Sequence, residues 1–217
     1  NALSKLHTVG QNLKFVTNES LVHVDGLSAL TTIEENLWFS DNLSLLDIDG
    51  VSALSTVGGN VTVSLNTALL DIDGLSSLST VGGETFGGDI AIEENTALEN
   101  VDGLMSMTKI VRDLSIRENP ELRNLDGLGS VTEIGGTAYV RDNSVLANIN
   151  GFESLTHVLG DFWLGGNPEL TNVDGLSALE TVDGYFLIFS SPINSLDGLN
   201  ALSAVGVGLR FYDLSGL

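Results

Sequence analysis

The stretch LLDIDGLSSLSTVGG, Leu69 to Gly83, nearly copies LLDIDGVSALSTVGG, Leu45 to Gly59, and the phrase recurs along almost the whole chain. Its anchor, the first residue of D-G-L, falls at Asp25, Asp49, Asp73, Asp102, Asp126, Asn150, Asp174 and Asp197, in steps of 24, 24, 29, 24, 24, 24 and 23. A repeat of this length means a solenoid, because one coil cannot bury its apolar face alone and must stack on its neighbours. A second marker runs seven residues upstream through Asn18, Asn42, Asn66, Asn95, Asn119, Asn143 and Asn167, with Ser191, six upstream, in the eighth coil.

Inside each coil the apolar period changes. Before the Asn it is two, as in Leu37 and Phe39, Ile90 and Ile92, or Leu114 and Ile116, which predicts a strand with one buried face. After the Asn, pairs such as Leu69 and Ile72 suggest a second short extended segment. Leu75, Leu78 and Val81, three apart, then predict a helical or 3₁₀ turn with Asp73 as its cap. Gly59, Gly83, Gly136, Gly160 and Gly184 precede the strand, where a left-handed turn is expected. The expected architecture is all-β with short helical turns: a right-handed parallel β-solenoid (β-helix) of about nine 24-residue rungs, roughly 40 Å long. It is one unit spanning residues 1–217. Since the chain opens and closes inside its repeat, a segment of a longer protein is expected.

Net charge is -21, from eight basic and twenty-nine acidic residues, which repels nucleic acid and anionic lipid. No nucleic-acid partner is expected. No apolar run approaches the ~20 residues of a membrane-spanning helix, so no membrane contact by this segment is expected. There is no cysteine, so disulfides, thiol catalysis and cysteine-zinc sites are excluded.

The pattern N-x-x-L-x-x-[VIL]-D-G-L-x-x-L-x-x-V-G-G-x-L-x-I resembles the receptor L domain, a leucine-rich-repeat-like β-solenoid family, from about Leu3 to Leu217. The resemblance implies a cell-surface or extracellular module that binds a protein or glycan. This chain lacks the cysteine-rich flanks of the receptor version and its coils are more regular, which favours a microbial surface protein.

Candidate sites follow from what the repeat does not need. The Asn column reads as structural, each amide satisfying buried backbone groups where the chain turns. The repeated D-x-D-G resembles the start of a calcium loop, yet its intervening Ile48 and Ile72 point inward and no terminal Glu follows. Asp47, Asp49, Asp71 and Asp73 are therefore weak calcium candidates only. No catalytic residue and no cofactor is expected: the histidines are scattered at His7, His23 and His157, and no nucleophile has a base beside it. Glu93, Arg117 and Arg141 share one outward column and could handle an acidic sugar. Cross-strand charge pairing explains them as well. Of the glycosylation patterns at Asn18, Asn42 and Asn60, only Asn60 is expected to be usable, the others belonging to the inward ladder.

Two irregularities stand out. The five-residue excess in VGGETFGGDI, Val81 to Ile90, should bulge, with Phe86 either exposed to a partner or folded down as a lid. On the outward face of the strands, aromatics gather late in the chain: Tyr139, Trp163, Tyr185, Leu187, Phe189 and Tyr212 are expected to form one exposed patch, with Trp38 on the same face far upstream. Aromatics with a polar handle suit protein or sugar contacts. The expected function is an extracellular recognition or adhesion module. A spacer or self-assembling surface fibre, associating through the solenoid ends, is the first rival; a polysaccharide-processing β-helix enzyme is the second.

Overall fold

In the computed structural model, which describes residues 3–83 and 87–216, the repeat winds into a parallel β-solenoid. Nine long strands, Leu13–Val16, Leu37–Ser40, Val61–Ser64, Ile90–Glu93, Leu114–Arg117, Ala138–Arg141, Phe162–Gly165, Tyr185–Phe189 and Gly208–Tyr212, stack in chain order into one sheet. Each advances one coil with its neighbour in register, so Leu114 faces Ile90 on one side and Ala138 on the other. Because every position repeats, each inward column packs like on like: Phe15 stacks on Phe39 at 5.1 Å, and Phe162 on Phe186 at 5.2 Å. Alternation thus becomes burial. Phe162 and Leu164 are fully buried, while Trp163 between them faces out.

Two-residue strands form the second side of the coil. Thr8–Val9, Thr32–Ile33, Thr56–Val57 and Thr80–Val81 make one sheet, and Lys109–Ile110, Glu133–Ile134, His157–Val158, Thr181–Val182 and Ala204–Val205 another. The break falls at the five-residue excess, where Gly82 adopts φ +91. The third side carries the 3₁₀ turns that the three-residue spacing predicts, such as Asp49–Val51, Asp73–Leu75 and Asp102–Leu104, one in each coil from Asp49 to Asp197, whereas the first D-G-L at Asp25 forms none.

The segment after the Asn is not a strand. A tight turn follows each ladder Asn, with Leu69 N–H donating to Asn66 O at 3.1 Å, and leaves a single coil-to-coil bond from Leu70 N–H to Leu46 O at 3.3 Å. Among the described residues only an isolated bridge, Asn172 to Ser195, forms there.

Capping also differs from expectation. Asp73 makes no side-chain cap bond; its N–H donates to Asp71 Oδ1 at 3.1 Å. The same bond ties Asp102 to Asn100, Asp126 to Asn124, Asn150 to Asn148 and Asp174 to Asn172, and Ser195 Oγ serves Asp197. The cap therefore sits two residues upstream, as an Asx-type turn. The D of D-G-L is left as a column of like charges. Burial, then the carboxylate two residues upstream (Asp47 or Asp71) and those of neighbouring coils, raises the pKa of Asp49 and Asp73 above the ordinary 3.8.

A carboxyl with a raised folded pKa holds its proton more tightly folded than unfolded. Its stabilising contribution is full below 3.8 and is lost as pH rises through the folded value. The stabilising contribution of these two groups should consequently grow as pH falls through their folded values toward 3.8. Asp73→Asn, which copies what Asn150 already does, should raise the melting temperature at pH 7.5 by about 1–2 °C and flatten the pH dependence. An unchanged Tm and slope, measured by calorimetry at low salt, would show that solvent already screens the column.

Apart from Gly82, left-handed backbone among the described residues lies after the long strand rather than before it. Thr17, Asp41, Leu65, Glu94, Glu118, Asp142, Ser190 and Asp213, each immediately preceding a ladder position, have φ of 46 to 59, and Gly166 joins them at 65. That kink turns the chain inward and buries the Asn. Gly59, Gly136, Gly160 and Gly184 have no positive φ; a side chain on any of them would strike the preceding coil, such as Asn36 Oδ1 beneath Gly59.

Candidate functional site

The large sheet presents two outward columns. Register places Lys14, Trp38, Thr62, Ala91, Ser115, Tyr139, Trp163, Leu187 and Arg210 in one, and Val16, Ser40, Ser64, Glu93, Arg117, Arg141, Gly165, Phe189 and Tyr212 in the other. Small side chains in the middle of the first column create a depression of about 420 Å³. Ala91 and Ser115 form its floor, Tyr139 one end, Asp89 and Asp113 one flank, and Glu93, Arg117 and Arg141 the other.

Charge in the depression is organised around Glu93. Arg117 Nη2 donates to Glu93 Oε2 at 2.9 Å and Ser115 Oγ to Glu93 Oε1 at 2.5 Å. Burial disfavours the Glu93 carboxylate, but those two bonds and the nearby guanidinium groups outweigh it and hold its pKa below the ordinary 4.5. The same ion pair raises the pKa of Arg117. Arg141 has no such partner. It stands between Arg117 and Gly165 in its column, and its buried Nε has no hydrogen-bond acceptor among the described residues.

Asp89 and Asp113 owe their positions to a ladder that the sequence reading missed. The side chain of the residue before each of the first seven long strands accepts a backbone N–H from the next coil: Asn12 Oδ1 from Asn36 at 3.1 Å, Asn60 Oδ1 from Asp89 at 3.0 Å, Asp89 Oδ1 from Asp113 at 3.2 Å, Asp113 Oδ1 from Thr137 at 2.7 Å and Asp161 Oδ1 from Tyr185 at 2.7 Å among them. The signal was present as Asn, Asp or Thr at positions 12, 36, 60, 89, 113, 137 and 161, in step with the repeat. This ladder also ties up Asn60, which is half-buried. The exposed acceptor pattern is instead Asn18, while Asn42 is fully buried.

Beyond Tyr139 the aromatics adjoin as expected but do not stand free. Tyr139 and Trp163 have ring centres 6.0 Å apart, Trp163 meets Phe189 edge-on at 6.4 Å, and Phe189 stacks on Tyr212 at 5.2 Å. Gly165 supplies the room: a Cβ there would lie 2.6 Å from the Phe189 ring, so that ring lies flat against the strand. Leu187, expected to be exposed, is 5% exposed, between Trp163 and Arg210 in its column. Trp163 is half-buried, with Nε1 donating to Asp161 Oδ2 at 3.3 Å. Tyr185 is half-buried under the Arg210 guanidinium, 4.5 Å from its ring centre, and Tyr212 is 48% exposed. Trp38 stands apart, beneath Lys14 Nζ at 4.0 Å and separated from Tyr139 by Thr62, Ala91 and Ser115. Phe86 lies outside the described residues.

The four calcium candidates do not gather into a ligand set. Asp47 Oδ2 is 2.5 Å from His23 Nδ1, and Asp71 Oδ1 accepts the Asp73 N–H. Among the described residues no three His, Asp or Glu side chains converge as metal ligands. No family model matches this sequence, and no curated protein matches it either.

Proposed function

We propose that the chain is an extracellular recognition or adhesion module, similar to the receptor L domain, that binds a protein or glycan through the outward face of its long sheet. The observation that carries this reading is the continuity of the face: a polar depression runs directly into an aromatic row through Tyr139 and Trp163. Solenoid packing asks only that inward columns be large, so large aromatic side chains outside are available for contact. Binding is favoured over catalysis because Glu93 has both oxygens engaged and its pKa lowered. It carries no proton to donate at neutral pH.

Wild-type protein and Trp163→Ala should be screened side by side against glycan and surface-protein panels. Hits of the wild type should weaken at least about tenfold in Trp163→Ala, the scale of one well-packed aromatic anchor, with the far-UV spectrum unchanged. Hits that survive the substitution would overturn the placement. No hit in either panel would favour the spacer reading.

A further inference from the structure

We propose that the depression between Ala91 and Tyr139 binds an acidic saccharide, its carboxylate held by Arg141 and its ring laid against Tyr139. The inference rests on the recognition reading and assigns that face a ligand class.

Arg141 is the reason. Register sets it beside Arg117, a like charge, with Gly165 on its other side. Like charges directly across a sheet are destabilising. Arg117 is neutralised by Glu93, whereas Arg141 keeps a buried Nε without an acceptor and no ion pair among the described residues. A guanidinium in that condition gains most from a planar anion that fits its fork, and a carboxylate has that shape. The chain as a whole is strongly acidic, so nothing in its general field gathers anions; the preference has to be local.

The rest of the depression selects hydroxyls over more charge. Asp89 and Asp113 each commit Oδ1 to a backbone N–H, and the second oxygen of each has no partner among the described residues. Those oxygens accept hydrogen bonds and repel a second anion, which fits a ligand that is acidic at one point and hydroxylated elsewhere. Tyr139 closes one end with a ring face whose centre lies 6.0 Å from Arg141 Cζ, so carboxylate and sugar ring are addressed from adjacent positions on one strand. The volume of about 420 Å³ is within the range of small-ligand sites.

The test uses trimers of galacturonate, glucuronate and mannuronate, each beside its methyl ester, titrated by calorimetry into the intact chain near physiological salt. At least one acid should bind, with its ester about tenfold weaker or more. Arg141→Gln should bring that ratio close to one, and Arg141→Lys should retain part of it. Tyr139→Ala should weaken acid and ester alike. Circular dichroism of each variant reports folding. Equal binding of acid and ester, a ratio unaltered in a folded Arg141→Gln, or no binding by any trimer would overturn the proposal. A glutamate-rich peptide bound as tightly as the best trimer would overturn the saccharide assignment. A protein ligand that is lost in Trp163→Ala while every trimer fails would sink this inference and leave the recognition reading standing.

Discussion

Gly103→Ala should destabilise the chain by about 3 kcal/mol or more, the upper end of overpacking costs, and lower Tm by roughly 6–12 °C. The glycine of D-G-L sits where the 3₁₀ turn of one coil lies on the backbone of the coil before it. A Cβ on Gly103 would collide with Ile72 O and reach Ile72 Cγ1 at 3.2 Å; Gly74, Gly127, Gly151 and Gly175 meet the equivalent carbonyls. None of these glycines has a positive φ, so conformational freedom is not the reason for them. The obstruction is backbone against backbone, and no rotamer change relieves it. The coils must separate locally, which also stretches the sheets that share their spacing. Gly26 supplies the internal control, since a Cβ there would have nothing within 4 Å. Gly26→Ala should stay within about 0.5 kcal/mol of the parent. Equal effects of the two substitutions in denaturant titrations would show that propensity, not stacking, selects the glycine.

That glycine illustrates what was legible in the sequence and what was not. Period, strand alternation and the 3₁₀ turn could be read because each leaves an apolar trace at fixed spacing: Leu37 and Phe39, then Leu75, Leu78 and Val81. Contacts between coils leave only small or polar letters. The Gly column, the Asn12-to-Asp161 ladder and the true cap at Asp71 or Asn100 all look like loop composition until the stacking is known. The outward columns were assigned in the correct register, yet exposure did not follow from facing outward. Leu187 is covered although it faces outward between Trp163 and Arg210, and the Phe189 ring lies over Gly165 directly across the strands; alternation along one strand cannot express such cross-strand relations. The depression was missed for a related reason. Glu93, Arg117 and Arg141 fall in one column and Tyr139 in the other, while the small floor at Ala91 and Ser115 joins them.

Asn66→Ala should cost about 2–4 kcal/mol, since two buried groups lose their partners at about 1–3 kcal/mol each without full additivity. Asn66 is fully buried, and its Oδ1 accepts both the N–H of Asn42 at 3.1 Å and the Nδ2 of Asn42 at 3.0 Å. Its Nδ2 donates to Phe39 O at 2.8 Å and to Asn95 Oδ1 at 3.2 Å. Alanine leaves the Asn42 N–H with no acceptor and removes a donor from Phe39 O; Asn42 Nδ2 survives better, because it also donates to Phe15 O at 2.9 Å. Serine should cost less. At the top of the ladder Ser191 Oγ already accepts the Asn167 N–H at 3.2 Å, although it turns its own proton to Phe189 O rather than to the coil before. Aspartate should cost at least as much as alanine, because it keeps the acceptor but has no donor for Phe39 O and brings a charge into a fully buried site. Asn18, exposed at the start of the column, should tolerate alanine within about 0.5 kcal/mol. Urea titrations of the four variants test the order Asp at or above Ala, then Ser, then Asn18→Ala. If Asn66→Ala proves no worse than Asn18→Ala, water reaches those groups and the amide ladder contributes register rather than stability.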